Sequence, residues 1–263
     1  MQTCGILRKW TKKLFCHTNR ATFRALLRPP VQEWLTLSPA HSERTQERVE
    51  PPDYRPPETV GRIAAVVAAA GFSSRMGRFK PLLPWRNGTV IEAVAAGLAA
   101  GGASPVNVVT GHRGEEIAER LTPGDAVAIS NPDYRKNEML RSYQVGIDAL
   151  LRDGRPVQGA LLALGDQPHI PAGVIRQIID RALAVPEAVV VPSFMRRRGH
   201  PVYLPWRFFP NLVNLESGRS LRDLLEEFDE EIVYEVVESD CVRRDMDVPA
   251  EYEFLRSEYE WAE

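Results

Sequence analysis

From residue 61 onward, apolar positions along this chain follow two rhythms. Short unbroken runs predict buried strands that end in turns: "RIAAVVAAAG" at 62–71, "VNVVTG" at 106–111, "AVAIS" at 126–130 and "GALLALGD" at 159–166. "EAVVVPSF" at 187–194, "HPVYL" at 200–204 and "EIVYEVV" at 231–237 predict three more. Segments with a period near 3.6 lie between and after them, at 89–102, 114–121, 139–154, 171–184, 218–228 and 248–261. The first of these helices opens on Thr89 with Glu92 three residues later, a capping box, and closes on glycines. The second carries its acids in the first turn, where the helix dipole favours them. Strands alternating with helices of this length predict an α/β fold: three layers, α/β/α, around a mostly parallel sheet. Ligands of such sheets sit at the carboxyl ends of the strands, near a switch point. The loops after Ala68, after Leu164 and after the last strand are therefore the places to search.

Residues 1–60 break this pattern. Positions 1–32 hold Arg8, Lys9, Lys12, Lys13, Arg20, Arg24 and Arg28 and no acid, and "PPDYRPPETVGR" then reads as an extended linker. Three readings stay open for this segment: a disordered basic tail, a targeting or partner-docking segment, or an upstream extension that is not normally translated. The boundary is placed near Gly61, with one folded domain over 61–263.

Composition changes this picture little. The formal net charge of −2 gives no global sign of nucleic acid or an anionic membrane as partner. The longest apolar run, 63–70, falls far short of the roughly 20 residues of a membrane span. Three cysteines, Cys4, Cys16 and Cys241, have no CxxC spacing, which argues against a disulfide framework or a zinc site and fits a reducing cytoplasm.

The chemistry concentrates in "AAAGFSSRMGRFKPLLPW", residues 68–85. Ala69, Ala70, Gly71, Ser73 and Ser74 leave the backbone unobstructed, and Gly71 and Gly77 are free to take positive φ and aim N–H groups at one anion. Arg75 adds a planar fork suited to phosphate, and Lys80 a point charge. These are the parts of a polyphosphate cradle. Neither GxxxxGK[ST] nor GxGxxG is present, so a Walker loop and an NAD-type fingerprint both lose support.

This stretch resembles the signature of the MobA-like nucleotidyltransferases. It is most similar to their molybdenum cofactor cytidylyltransferase branch, which reads AAG-x-S-x-RMG-x-x-K-x-LLPW. "NPDY" from Asn131, "LALGDQP" ending at Pro168, "RRGHPV" ending at Val202 and "DMDVPAEY" ending at Tyr252 follow in the same order. The resemblance covers about residues 61–258 and implies a Rossmann-like sheet. It also implies that Ala69, Ala70, Gly71, Ser74, Arg75 and Lys80 hold a nucleoside triphosphate, with Asn131 and Ser142 as further polar contacts. Guanylyl relatives usually carry a second glycine where this chain has Ala70, which favours CTP.

Nucleotidyl transfer brings an anionic acceptor to a triphosphate, and two unit charges 4 Å apart repel by about 4 kcal/mol at an effective dielectric of 20. A divalent cation, Mg²⁺, relieves this and needs only one or two carboxylates. Asp166, at the exit of a buried strand, is either a turn cap or a metal ligand, and similar proteins use it as the latter. Asp247 is the second candidate ligand, or else a cap on the final helix; Val248 replaces a threonine usual in the family. Asp245 is the weaker candidate. Arg196–Arg198 with His200 read either as a solvated turn or as a subsite for an anionic second substrate, and His112 reads as structural. Asn137 and Glu138 precede Met139 where relatives often carry a glycine, which bears on the acceptor.

The expected function is Mg²⁺-dependent transfer of CMP from CTP to molybdopterin cofactor, releasing pyrophosphate. Arg75, Lys80 and Asp166 are the expected catalytic residues, and Asp166 and Asp247 the metal ligands. A sugar or polyol phosphate is the alternative acceptor, and a non-catalytic nucleotide-binding module the alternative class. Expected partners are the small-molecule substrates and a molybdoenzyme or chaperone that receives the product.

Overall fold

Alternate residues of the first strand face opposite ways, and each set meets a different layer of helices. A computed structural model describes residues 61–121, 126–136 and 138–259. The reading of residues 1–60 lies outside them, as does the end of the helix expected at 248–261. Strand β1 (Ile63–Ala69) sends Ile63, Ala65, Val67 and Ala69 into one core, with Ile91, Val94 and Leu98 of α1 (Val90–Gly101) and Ile175, Ile178 and Ile179 of α4 (Ala172–Ala184). Ala64 and Val66 enter the other, with Leu140, Tyr143 and Ile147 of α3 (Met139–Asp153). The expected three-layer α/β/α architecture is present.

The sheet contains β4 (Val106–Thr110), β5 (Val127–Ser130), β6 (Gly159–Leu164), β7 (Val189–Phe194), β8 (Arg197–Arg198), β9 (Val202–Pro205) and β10 (Ile232–Val236) beside β1. Its order is β10-β7-β9-β6-β1-β4-β5, with β8 paired to β7. Strands β6, β1, β4 and β5 run parallel, as do β7 and β10. Strand β9 is antiparallel to both of its neighbours, β6 and β7. "Mostly parallel" thus holds, with the reversed β9 separating two parallel blocks and the short β8 antiparallel to β7.

The remaining elements are α2 (Gly114–Arg120), α5 (Phe209–Val213), α6 (Leu221–Glu227), α7 (Pro249–Tyr259) and a two-residue ribbon of β2 (Pro84–Trp85) with β3 (Gly88–Thr89). The capping box of α1 is formed: the Glu92 carboxylate accepts from the Thr89 amide at 2.9 Å and from its hydroxyl at 2.6 Å. From β1 the chain proceeds outward to β4 and β5, then returns to β6 on the other side. The switch point therefore lies between β1 and β6, and the loops leaving both strands open onto it.

Candidate active site

The loop after β1 closes on itself before it meets anything else. Its left-handed residues are Ser73 (φ 57°) and Gly77 (φ 65°), not Gly71 as the sequence suggested. Ser73 bears this strain because its Oγ accepts the Lys80 amide at 3.1 Å, across seven residues of chain. Two single 3₁₀ turns, Ser74–Met76 and Lys80–Leu82, complete the loop. Gly165, after β6, permits the close approach of the second loop. A Cβ there would lie 2.8 Å from the Ala68 carbonyl and 2.9 Å from the Ala69 Cβ, so any side chain would push Asp166 away.

Lys80 joins three distant parts of the chain. Its Nζ donates to Asp166 Oδ2 at 2.8 Å and to Asp247 Oδ1 at 2.7 Å. Arg75 pairs with the other oxygen of Asp247 at 2.6 Å. The two cations differ in commitment: the Lys80 side chain is only 12% exposed and that of Arg75 75%. Burial works against the charged Lys80, but the Asp166 charge and the hydrogen bonds to both carboxylates outweigh it, so its ammonium lies above its ordinary pKa. The hydrogen bond from Lys80, and the charges of Lys80 and Arg75, hold Asp247 below the usual carboxylate range. Asp245 moves the other way, raised by desolvation and then by the charges of Asp166 and Asp247.

Asp247 does not cap the final helix. Glu251, in the first turn of that helix, accepts from the Asp247 and Val248 amides at 2.7 and 3.2 Å, which is one half of a capping box; Val248 has no hydroxyl to make the other half. The Asp247 side chain is left to the cleft.

A cavity of about 400 Å³ spans the two loops. Ala69, Ala70, Gly71, Ser74, Arg75, Lys80, Asn131, Ser142, Asp166 and Asp247, all named from sequence, line it. Asn131 is buried, with its Nδ2 3.5 Å from Ser142 Oγ and its Oδ1 accepting the Asp133 amide. His200 is not among the lining residues. Its ring Nδ1 lies 3.4 Å from the Leu162 carbonyl on β6, and burial lowers its pKa. His112 sits beneath the loop, its amide on the Ala70 carbonyl and its ring against Phe72 and Phe79, a structural place.

Sequence reasoning missed Phe72 and Tyr134 as cavity residues and ranked Asp245 low; Glu138 and Met139, read as bearing on the acceptor, line the cavity as well. An aromatic set among the small residues of the loop was the available signal for Phe72. Asn137 lies outside the described residues.

The donor set suits a hard divalent cation. Asp166 and Asp247 both reach one cationic atom, so their oxygens are close enough to share an ion, and the cavity has room for waters and ligand oxygens. No cluster of three or more His, Cys, Asp or Glu side chains that could hold a metal occurs among the described residues.

Residues 65–232 match the family described as the MobA-like NTP transferase domain. This chain belongs to that family. As a MobA-like protein it is a nucleotidyltransferase. It is 28% identical over 168 residues to the molybdenum cofactor cytidylyltransferase of Escherichia coli (strain K12), covering 61% of this chain and 82% of that one. It is also 27% identical over 162 residues to the nicotine blue oxidoreductase of Paenarthrobacter nicotinovorans, covering 59% of this chain and 77% of that one. The structure of Rv0371c from Mycobacterium tuberculosis H37Rv in complex with manganese matches with a TM-score of 0.59 at 25% identity, covering 74% of this chain and 98% of that one. The MobA-like fold is thus shared with a protein that takes a divalent ion. No helix among the described residues is long and apolar enough to cross a membrane.

Proposed function

We propose that the protein transfers CMP from CTP to molybdopterin cofactor in a Mg²⁺-dependent reaction, within a catalytic domain spanning 61–263. The observation that carries the reading is Lys80, held between Asp166 and Asp247 at the mouth of the phosphate loop. Apart from its ligands, this cleft contains both charge types that nucleotidyl transfer requires. Arg75 and Lys80 are the groups that would hold phosphate oxygens. Asp166 and Asp247 would hold the metal, which would offset phosphate charge and stabilise the departing pyrophosphate.

In the reaction an oxygen of the acceptor phosphate bonds to the α-phosphorus of CTP. The bond from that phosphorus to the bridging β-oxygen breaks, and pyrophosphate leaves. The acceptor phosphate is already deprotonated near neutral pH, so no side chain has to act as its base. Lys80 exchanges its carboxylate partners for phosphate oxygens as charge builds on the leaving group. Support for CTP and for this acceptor comes from the similarity to the cytidylyltransferase together with Ala70 in the first turn.

The test is pyrophosphate release by purified protein with Mg²⁺ and CTP, GTP or ATP, with and without molybdopterin cofactor. Release with CTP plus cofactor is expected. Lys80→Ala and Asp166→Ala should each lower turnover at least about tenfold while melting remains cooperative, since each removes a preorganised charged contact. Near-normal turnover in both variants would sink the mechanism, and release with another acceptor would reassign it.

A further inference from the structure

The cleft has two unlike ends. Arg75, Lys80, Asp166, Asp245 and Asp247 give charge to the β1–β6 side. Phe72, Tyr134 and Met139 line the same cavity, and the rings of Phe72 and Tyr134 meet near the ends of β4 and β5. Phe72 is 36% and Met139 53% exposed. Large apolar side chains left uncovered together inside a polar concavity mark the place of an apolar ligand group.

The two rings are fixed by their surroundings. Their centroids lie 5.5 Å apart with planes inclined at 47°, so they form a corner, and the Arg135 guanidinium lies 5.5 Å from the Tyr134 ring centre. His112 backs Phe72 at 5.2 Å and meets Phe79 edge-on at 5.3 Å. Arg113 lies over the Phe79 ring at 5.0 Å. Gly111 admits Tyr134: a Cβ at that position would stand 2.3 Å from the Tyr134 Cβ and 2.8 Å from the Ala70 carbonyl. A corner fixed in this way loses little freedom when a ring settles on it.

We propose that Phe72 and Tyr134 are the stacking platform for the nucleobase, a planar N-heteroaromatic ring, and that they set affinity for the nucleotide; this rests on the nucleotidyl-transfer reading above. Phe72 stands inside the phosphate loop, between Gly71 and Ser73, with Arg75 and Lys80 just after it. From β1 to β5 is two strand spacings, about 10 Å, a gap that one ribose and its base can bridge. A molecule that is anionic at one end and flat and apolar at the other fits both ends of the cavity at once.

Calorimetric titration of the full chain with Mg²⁺ tests this, comparing CTP with tripolyphosphate, which offers the anion without the ring. Phe72→Leu keeps the apolar bulk and removes the ring face, and Tyr134→Leu does the same on the other wall. Each should weaken CTP binding about 5- to 100-fold and leave tripolyphosphate binding unchanged, with melting temperature reporting that the fold persists. Equal losses for both ligands would mean that the loop itself had moved, and would overturn the platform. Unchanged CTP affinity with a raised acceptor KM would give the rings to the acceptor's heterocycle, which also overturns it. Wild-type protein that binds CTP no more tightly than tripolyphosphate would sink this inference alone, because the ring would then add nothing. Wild-type protein that binds neither would sink the nucleotidyl-transfer reading beneath it.

Discussion

Lys80 and His169 show how burial and partners together decide what a single residue contributes. Lys80 keeps its charge because two carboxylates compensate its desolvation. His169, on the loop after β6, is governed by its burial, which outweighs the Cys241 carbonyl and the charges of Asp166 and Asp240 that favour its protonated form. It is 3% exposed, its Nε2 lies 3.0 Å from the Cys241 carbonyl, and its Nδ1 has no partner. Burial lowers its pKa to about 4 from an ordinary 6.5. The unfolded chain binds this proton more readily, so stability rises with pH between those two values and is lost as pH falls from 6.5 toward 4. One proton changes stability by at most about 1.4 kcal/mol per pH unit. His169→Gln should therefore flatten the pH dependence of the melting temperature in that window. A variant as acid-sensitive as the wild type would show that other groups carry the effect. The residue scale was also where the sequence was most legible, because the loop's types and spacing are its chemistry. The sequence did not reveal that Asp247 meets Lys80 across 167 residues. That contact depends on how the chain after β10 returns over the sheet edge.

At the scale of elements, strands and long helices announced themselves through period and caps, and each is found where the pattern placed it. The short pieces did not, since a two-residue strand such as β2 or β8 has no period to read. The direction of β9 was equally hidden: "HPVYL" carries the same apolar pattern whichever way it pairs. His200 illustrates the cost of that gap, because the reversed strand turns its ring to β6 instead of the cleft. The hairpin joining β7 to β8 turns through Met195 and Arg196, at φ 48° and 63°. Such a turn prefers Asn-Gly, and non-glycine residues in that region are strained. Replacing the pair, Met195→Asn with Arg196→Gly, should stabilise by about 1 kcal/mol and raise the melting temperature by about 2–4 °C. No gain would indicate that the exposed Met195 side chain, 78% accessible, makes up for the strain.

For the whole molecule, every residue that lines the cleft falls between Ala68 and Asp247, inside the stretch that the alternating pattern marked out. A chain beginning at Gly61 is accordingly expected to melt cooperatively and to release pyrophosphate at the rate of the full chain. A large loss of turnover with folding intact would assign residues 1–60 a part in catalysis. The closed ion-pair set of Arg75, Lys80, Asp166 and Asp247 has a consequence that reaches the solution around the protein. A bare basic pocket gathers small ions from the buffer, and its hold on a phosphate weakens as salt screens it. Here the cations already have carboxylates for company, so an incoming nucleotide trades places with internal partners and sets few ions free. Its grip should then vary little with ionic strength, and the cleft would work alike in dilute and in crowded, salty surroundings.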